Sequence, residues 1–308
     1  MQAIERLLSA PVDAPPCENV AQWWPRHRQL CASGDDPFRR AVAGGFAADR
    51  AGWAFASGYQ AALHALFPDA PGDRICALCV TEAGGNSPKA IESTLRQSGD
   101  GWVLDGAKRW TTLGPDGSLF FVAARDEAAS GERASIRVVR IDSNAPGLKI
   151  ESMPPTKFVP EVPHAQLQFD NLKIAASQIL PGDGYASYVK RFRTVEDIYV
   201  NAAILAYLVR EARRLAWPEN WVERCLCALF LLEKLAEENP QSAAVHLTLA
   251  GALAISGTLT SESAAYWENA AGDPAAARWH RDRELLKVAG GIRAQRTRRA
   301  WETLRQGA

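Results

Sequence analysis

The pattern of apolar and polar positions changes twice along the chain. Up to about residue 73, alanine-rich stretches alternate with proline-containing breaks, which predicts short helices. From about residue 74 to 182, short alternating runs are separated by turn residues, a pattern typical of antiparallel strands. From about residue 186 onward, apolar residues recur every three or four positions, which predicts amphipathic helices.

These three blocks predict an α+β protein with several domains. We expect an N-terminal helical domain over residues 1–73, a central antiparallel β-barrel or sandwich domain over 74–185 and a C-terminal four-helix bundle over 186–308. In the bundle, the apolar stripe of the first helix leaves four charged residues facing outward, namely Arg210, Glu211, Arg213 and Arg214. The last helix is predicted to run from Asp273 to Leu304.

Composition narrows the function classes. The 35 basic and 35 acidic residues cancel, so the net charge favours neither nucleic acid nor an anionic membrane as a partner. The N-terminal residues lack a cationic stretch leading into an apolar core, and we find no uninterrupted apolar run of membrane-spanning length, so we expect a cytoplasmic protein. The cysteine and histidine spacings do not suit a metal site.

Two short segments carry the chemistry that the sequence suggests. The first, Thr81 to Ser87, follows an apolar stretch and contains small residues whose backbone can approach a ligand closely. The second, Gly106 to Thr112, places an indole next to hydroxyl groups. On a regular strand, Trp110 and Thr112 share one face and Thr111 points away, so the pair can stack on a flat ring and bond its edge.

These segments resemble two motifs of the acyl-CoA dehydrogenase family. The family has Thr-Glu-Pro-Gly-x-Gly-Ser-Asp where this chain has Thr-Glu-Ala-Gly-Gly-Asn-Ser-Pro, and Asn-Gly-x-Lys-x-Trp-Ile-Thr where this chain has Asp-Gly-Ala-Lys-Arg-Trp-Thr-Thr. Further matches follow at Ala165 to Ile174, at Ile179 to Tyr185 and at Arg281-Asp282. The resemblance implies the fold predicted above, FAD as cofactor with contacts at Thr81, Ser87, Trp110 and Thr112, and a homodimer or homotetramer.

The resemblance also implies a reaction. Family members remove the α-proton of an acyl thioester with a carboxylate while hydride passes to the flavin. The usual base is a glutamate before a glycine, and the corresponding residue here is Gly290. Some relatives place the base near the start of the first C-terminal helix, where Glu196 aligns. Glu196 is therefore either a relocated base or an acidic residue in the first turn of a helix capped by Thr194, where the helix dipole favours it.

The chain also departs from the family pattern at the cofactor site. The family has an Arg-x-x-Phe-Gly element whose arginine contacts the pyrophosphate, and the matching stretch, Trp217 to Val222, has no arginine. FAD binding is then weakened or lost. Three functions remain open: an acyl-CoA dehydrogenase-like oxidoreductase, a catalytically inactive relative with a binding or assembly role, and a flavin monooxygenase. The arginines from Arg293 to Arg299 are expected to form a solvated stripe.

Overall fold

The computed structural model describes residues 2–31, 36–128 and 135–306. Contacts divide the chain into two compact units. The helical unit comprises residues 1–65, 156–161 and 194–308, and the β unit comprises residues 66–155 and 162–193. The helical unit contains most of the N-terminal and C-terminal helical blocks of the sequence, and residues 66–73 and 186–193 of those blocks belong to the β unit.

The helical unit begins with four helices: α1 (Gln2–Ser9), α2 (Val20–Cys31), α3 (Pro37–Ala47) and α4 (Ala51–Leu66). It continues with α5 (Lys190–Arg214), α6 (Glu219–Ala236), α7 (Ala243–Asn269), α8 (Pro274–Asp282) and α9 (Gly290–Gln306). Helices α3 and α8 start alike, because Asp36 and Asp273 each accept a capping hydrogen bond and a proline occupies the first helical turn.

The β unit contains a mixed sheet in the order β1-β4-β2-β3-β7-β6, with β5 paired to β4. Its strands are β1 (Cys76–Cys79), β2 (Thr94–Ser98), β3 (Gly101–Thr112), β4 (Leu119–Asp126), β5 (Ile136–Asp142), β6 (Leu148–Ser152) and β7 (His164–Ile174). The pairings of β4 with β1 and with β2 are parallel, whereas the sequence predicted antiparallel strands throughout. Alternate residues of these strands form one apolar core, which includes Leu104, Phe120 and Leu167.

Helix α5 is the central element of the helical unit. Helices α3 and α4 approach it through glycines: a Cβ added at Gly45 would overlap the carbonyl of Ala203, and one added at Gly58 would lie 2.7 Å from Cα of Val200. The prediction that Arg210 and Glu211 face outward is wrong. Both are buried and pair with each other, because neighbouring helices cover α5 on more than one side.

One further expectation for the bundle needs correction. The helix predicted from Asp273 to Leu304 is divided into α8, a 3-10 turn over Arg283–Lys287 and α9, and the adjacent Gly290 and Gly291 have low helix propensity. Helix α7 is long and apolar enough to cross a membrane by length and composition, with 28% of its most apolar window buried, although its histidine, threonines and serines interrupt the apolar run. A bundle helix with an apolar outer face meets the same criterion.

Candidate functional site

A buried ion pair joins the two sequence motifs in the β unit. Lys108 on β3 is fully buried, and its Nζ contacts Oε1 of Glu82, which follows β1. The same carboxylate accepts hydrogen bonds from the N–H of Glu92 at 2.7 Å and from the N–H and hydroxyl of Ser93 at 3.1 and 2.8 Å. We call Glu82, Lys108 and Ser93 the Glu82 clamp. It fixes the loop of the first motif to the strand of the second.

The protonation state of the clamp follows from competing effects. Burial is the largest single influence and would raise the pKa of Glu82, but the hydrogen bond and charge of Lys108, together with the N–H groups of Glu92 and Ser93, lower it. Burial also lowers the pKa of Lys108, against the attraction of Glu82. The first shift favours an ion pair and the second a neutral amine. We favour the ion pair at neutral pH, because the two backbone N–H groups and the hydroxyl also stabilise the carboxylate.

The loop after β1 is a tight turn next to this clamp. Glu82 and Gly85 exchange backbone hydrogen bonds of 2.9 and 3.0 Å, and Gly85 has a φ of 113°, which glycine adopts readily. A Cβ added at Gly85 would meet no atom within 4 Å, so this side of the turn is open. Thr81 lies at the base of the turn, and its carbonyl accepts a 2.8 Å hydrogen bond from the N–H of Arg109.

Ser87 lies beyond this turn. It is exposed and precedes a 3-10 turn over Pro88–Ala90, and its side chain accepts no capping hydrogen bond from the N–H groups of that turn. The carbonyl of the adjacent Asn86 accepts a 3.0 Å hydrogen bond from Nη2 of Arg193. Thr81 is therefore placed directly against the second motif, whereas Ser87 is carried by a separate part of the loop.

Strand β3 contains a bulge at the second motif. Its register with β7 shifts by one residue between Lys108 and Thr111, and Trp110 within this stretch has a φ of 58°. A left-handed backbone is rare for a residue other than glycine. The bulge buries Lys108 and Thr111 on the same side and leaves the Trp110 indole 48% exposed. On a regular strand Lys108 would share a face with Trp110, so the prediction of unbroken alternation is wrong here.

The exposed indole belongs to a small patch. The Trp110 ring contacts the His164 ring edge-on, with 5.9 Å between ring centroids, and the N–H of Trp110 donates to Sδ of Met153 at 3.3 Å. Thr112 pairs with His164 in the sheet register, so both motif residues adjoin this histidine. Burial lowers the pKa of His164, which keeps the imidazole neutral at pH 7. The strained backbone at Trp110 is of a kind that clusters at ligand sites.

The candidate base Glu196 lies in the second turn of α5 and is partly buried. The helix begins at Lys190, after a π-helical turn over Tyr185–Val189, and Thr194 is buried within it. The interpretation of Thr194 as a helix cap is therefore wrong, because the helix starts earlier than the sequence indicates. An acidic first turn does not account for Glu196.

The residues around α9 also differ from expectation. Asp197 accepts charged hydrogen bonds from Arg293 at 2.6 Å and from Arg296 at 2.8 Å, so these two arginines are paired and do not belong to a fully solvated stripe. Gly290 is exposed at the start of α9, and a Cβ added to it would meet no atom within 4 Å. The position where the family resemblance expects a glutamate has room for one.

A second buried carboxylate lies in the helical unit. Oε2 of Glu161 pairs with Nη2 of Arg281 at 3.2 Å, and Arg281 also bonds Asp282 at 2.6 Å. Oδ1 of Asp282 accepts a 2.8 Å hydrogen bond from the N–H of Val159, whose φ of 44° is strained for a β-branched residue. We call these four residues the Glu161 clamp. It gives the Arg-Asp pair found in the sequence a structural role.

The Glu161 clamp leaves one oxygen without a donor. Oε1 of Glu161 is buried and accepts no hydrogen bond from another residue in the described part of the chain. It lies against Gly52 on α4, where an added Cβ would overlap it. Burial raises the pKa of Glu161, and the nearby Asp282 adds to the shift. Ionisation of this carboxyl is therefore less favourable than in solution.

The segment that contains both motifs is similar in sequence to known proteins. The sequence profile described as "Acyl-CoA dehydrogenase, middle domain" matches residues 77–172, which include both motifs. Acyl-CoA dehydrogenase IpdE1 of Mycobacterium tuberculosis is 29% identical over 149 residues, or 46% of this chain. Benzylmalonyl-CoA dehydrogenase of Aromatoleum aromaticum is 28% identical over 149 residues, or 47% of this chain. Residues 77–172 therefore match the acyl-CoA dehydrogenase family.

The matched segment covers 38% of the length of each of these two relatives. Solved structures extend the likeness in fold to nearly the whole chain. Butyryl-CoA dehydrogenase from Megasphaera elsdenii has a TM-score of 0.71 at 15% identity, over 90% of this chain and 85% of its own. The FAD complex of PigA has a TM-score of 0.70 at 14% identity, over 98% and 92%. The predicted fold class is confirmed.

Several residues of the candidate site could not be predicted from the sequence. Glu82 and Lys108 are letters of the two motifs, but their ion pair was not predicted, although two opposite charges in otherwise small or apolar surroundings were a usable signal. No role was predicted for His164, Met153 or Glu161. The contacts of these residues depend on strand register and tertiary packing, which short-range patterns do not encode.

Proposed function

We propose that the chain binds FAD through Thr81, Trp110 and Thr112 and acts as an acyl-CoA dehydrogenase-like oxidoreductase. The observation that carries this proposal is the Glu82 clamp, because it holds the two family motifs together through a buried charge pair. FAD would supply the acceptor for hydride from an acyl thioester or a related substrate. PigA, a neighbour in fold whose structure is that of an FAD complex, adds support.

Trp110, Thr81 and Thr112 have the side-chain chemistry that a flavin requires. An indole that is half exposed on a sheet offers a face for a flat ring, and its left-handed backbone costs energy that a bound ligand can offset. The hydroxyls of Thr81 and Thr112 are hydrogen-bonding groups suited to the ring edge, and the open side of the turn at Gly85 leaves room for a ligand. These residues would bind and orient the cofactor.

The test is the visible absorption spectrum of the purified protein, followed by calorimetric titration with FAD. We expect flavin absorption in the wild type and weaker FAD binding in Trp110→Ala by about 1–3 kcal/mol, the scale of stacking on an aromatic side chain. Trp102→Ala is a suitable control, since Trp102 lies on the same strand outside the motif. A colourless protein that gives no heat with FAD removes the proposal.

Two hypotheses about the catalytic base can be compared directly: that it has moved to Glu196, or that it has been lost at Gly290. If Glu196 removes the α-proton, Glu196→Gln should lower turnover of acyl-CoA substrates in a dye-coupled assay at least 100-fold, on the order of a general base's contribution. If catalysis was lost together with the glutamate at Gly290, the wild type is inactive and Gly290→Glu could restore turnover. Turnover by the wild type that Glu196→Gln leaves unchanged contradicts both assignments.

A second candidate function, a flavin-binding protein without acyl-CoA turnover, rests on Gly290. This glycine is exposed with open space at its Cβ position, so no carboxylate is supplied there. Such a protein would retain visible flavin absorption while acyl-CoA substrates fail to bleach it. That pair of results distinguishes it from the enzyme and from a protein that does not bind FAD.

We also propose a homodimer or homotetramer formed through the C-terminal helices. Large apolar side chains are exposed there in the single chain, on α6 (Phe230), α7 (Ile255) and α9 (Ile292, Trp301 and Leu304). Exposed apolar area of this kind usually marks an interface. Light scattering at micromolar concentration should give a multiple of the 33.5 kDa chain mass, and a monomeric mass contradicts the proposal.

A further inference from the structure

The bulge in β3 releases two backbone N–H groups from the ladder between β3 and β7. Its register shift places two residues of β3, Arg109 and Trp110, opposite a single residue of β7. The N–H of Arg109 donates to the carbonyl of Thr81 at 2.8 Å. The N–H of Trp110 donates to Sδ of Met153 at 3.3 Å. Both donors are therefore satisfied outside β7, one by the first sequence motif and the other by a methionine.

Met153 reaches Trp110 from the far side of β7. It directly follows β6, and its own N–H donates to the carbonyl of His164 on β7 at 2.8 Å. Strand β7 lies between β6 and β3 in the sheet, so the Met153 side chain extends past β7 to contact the bulge. His164 contacts the Trp110 ring edge-on. The sulfur thus bonds the backbone of Trp110, and the imidazole contacts its ring.

The hydrogen bond to Met153 acts on a strained residue. Trp110 has a φ of 58°, a conformation that a residue other than glycine keeps only where the surrounding contacts hold it. On a regular strand, Trp110 would share a face with Lys108, which is fully buried. The left-handed backbone instead leaves the indole 48% exposed. The conformation that the sulfur supports is therefore the one that presents the indole face.

We propose that Met153 is a positioning residue for Trp110 and that its sulfur sets the affinity of the site for flavin. This inference rests on the proposed function, because it assigns a further residue to the same site. The sulfur accepts the N–H that the bulge releases, and the bond holds the indole in the orientation for stacking. This role needs a hydrogen-bond acceptor at position 153, which side-chain volume alone does not supply.

The sulfur can be replaced while the shape of the side chain is kept. Met1 and Met153 are the two methionines of the sequence, so growth on norleucine replaces the Met153 sulfur by a methylene group, and growth on selenomethionine replaces it by selenium. Norleucine has no acceptor at this position. We expect the norleucine form to bind FAD about three- to tenfold more weakly in calorimetric titration, the scale of one lost hydrogen bond. The selenomethionine form should bind FAD as the methionine form does.

A second measurement follows Trp110 in the absence of FAD. Isotope labelling of tryptophan nitrogen gives a backbone amide NMR signal for each of the 10 tryptophans, and Trp110→Phe identifies the signal of Trp110. This signal should move more than the other tryptophan signals in the norleucine form, because Trp110 loses the acceptor of its N–H. The selenomethionine form should show a smaller change.

Met153→Leu provides both a control and a second variant. In this background, the norleucine and methionine forms differ only at Met1, so neither FAD affinity nor the Trp110 signal should change between them. Met153→Leu itself should weaken FAD binding as norleucine does, and it repeats the test if circular dichroism shows that the norleucine form is unfolded.

The outcomes separate this inference from the proposed function. An unmoved Trp110 signal, equal measurable FAD affinity in the methionine and norleucine forms, or an equal loss of affinity with selenomethionine overturns the role of the Met153 sulfur. If the Trp110 signal moves but no form binds FAD, Met153 positions Trp110 and the proposed flavin function is wrong.

Discussion

The Glu82 clamp and the Glu161 clamp are both built on a buried glutamate, but they differ in how fully the carboxylate is paired. Glu82 contacts Lys108 and accepts hydrogen bonds from two backbone N–H groups and from the Ser93 hydroxyl. Glu161 pairs with Arg281 through one oxygen only, and its Oε1 is buried without a donor in the described residues. Their pKa values shift in opposite directions, downward for Glu82 and upward for Glu161.

The difference shows what each glutamate contributes. A buried charge that is fully paired fixes the geometry of the groups around it, and the Glu82 clamp fixes two segments that carry the proposed flavin contacts. A buried carboxyl with one unpaired oxygen is held less firmly and tends to be protonated. The Glu161 clamp instead holds the strained backbone at Val159 through Asp282, with Glu161 beside it.

The largest effect that would test this comparison is expected from Lys108→Met. The substitution keeps the length of the side chain but leaves Glu82 buried without its charge partner. Breaking a buried ion pair in this way should destabilise the protein by about 3–5 kcal/mol, measured by urea unfolding. FAD binding should fall as well, because the two motifs would no longer be fixed together.

Lys149→Met is the matched control for Lys108→Met. Lys149 lies in the same unit and pairs with Glu151, but both side chains are substantially exposed. The loss of such a surface pair should cost no more than about 1 kcal/mol. If the two variants lose similar stability, the Glu82 clamp is not the strongly coupled pair that its geometry indicates.

The paired motifs of the β unit could be predicted from the sequence, because each lies in a short segment whose residue types and spacing are visible without a structure. The bulge that separates Lys108 from Trp110 could not be predicted, because it arises from the register between β3 and β7. The burial of Arg210 and Glu211 was also missed. Helical periodicity indicates one apolar face, and it cannot show that neighbouring helices also cover a second.

The Glu161 clamp is tested by Gly52→Ala, for which we expect a loss of stability of intermediate size. In Gly52→Ala, the new methyl group would overlap Oε1 of Glu161, and the carboxyl would have to move within a buried site. Overpacking of this type should destabilise the protein by about 1–3 kcal/mol in urea unfolding.

Gly251→Ala provides the control on another helix of the same unit. A Cβ at Gly251 would meet no atom within 4 Å, so only helix propensity changes, and stability should rise by up to about 1 kcal/mol. If Gly52→Ala is equally stabilising, Glu161 moves freely and the contrast between the two clamps is weaker than their geometry indicates.

The pH dependence of the two clamps is expected to have opposite signs. The ordinary pKa of both carboxyls is 4.5. For Glu82, the folded-state pKa lies below this value, so its stabilising contribution is present above pH 4.5 and is lost as the pH falls through the folded pKa. For Glu161, the folded-state pKa lies above 4.5, so stability is greatest below the unfolded pKa and declines as the pH rises through the folded pKa.

The smallest expected effect is the change with pH in the stability difference between each glutamine variant and wild type. It is measured by urea unfolding of the wild type, Glu82→Gln and Glu161→Gln between about pH 3 and pH 8, a range that brackets carboxyl titration. Relative to wild type, Glu82→Gln should become less stable as the pH rises, because only the wild type gains an ionised and fully paired carboxylate. Glu161→Gln should become more stable relative to wild type over the same range, because only the wild type must ionise a carboxyl with an unpaired oxygen. Differences that change with pH in the same direction would show that Arg281 stabilises the Glu161 carboxylate as effectively as Lys108 stabilises Glu82, and the distinction between the two clamps would then be wrong.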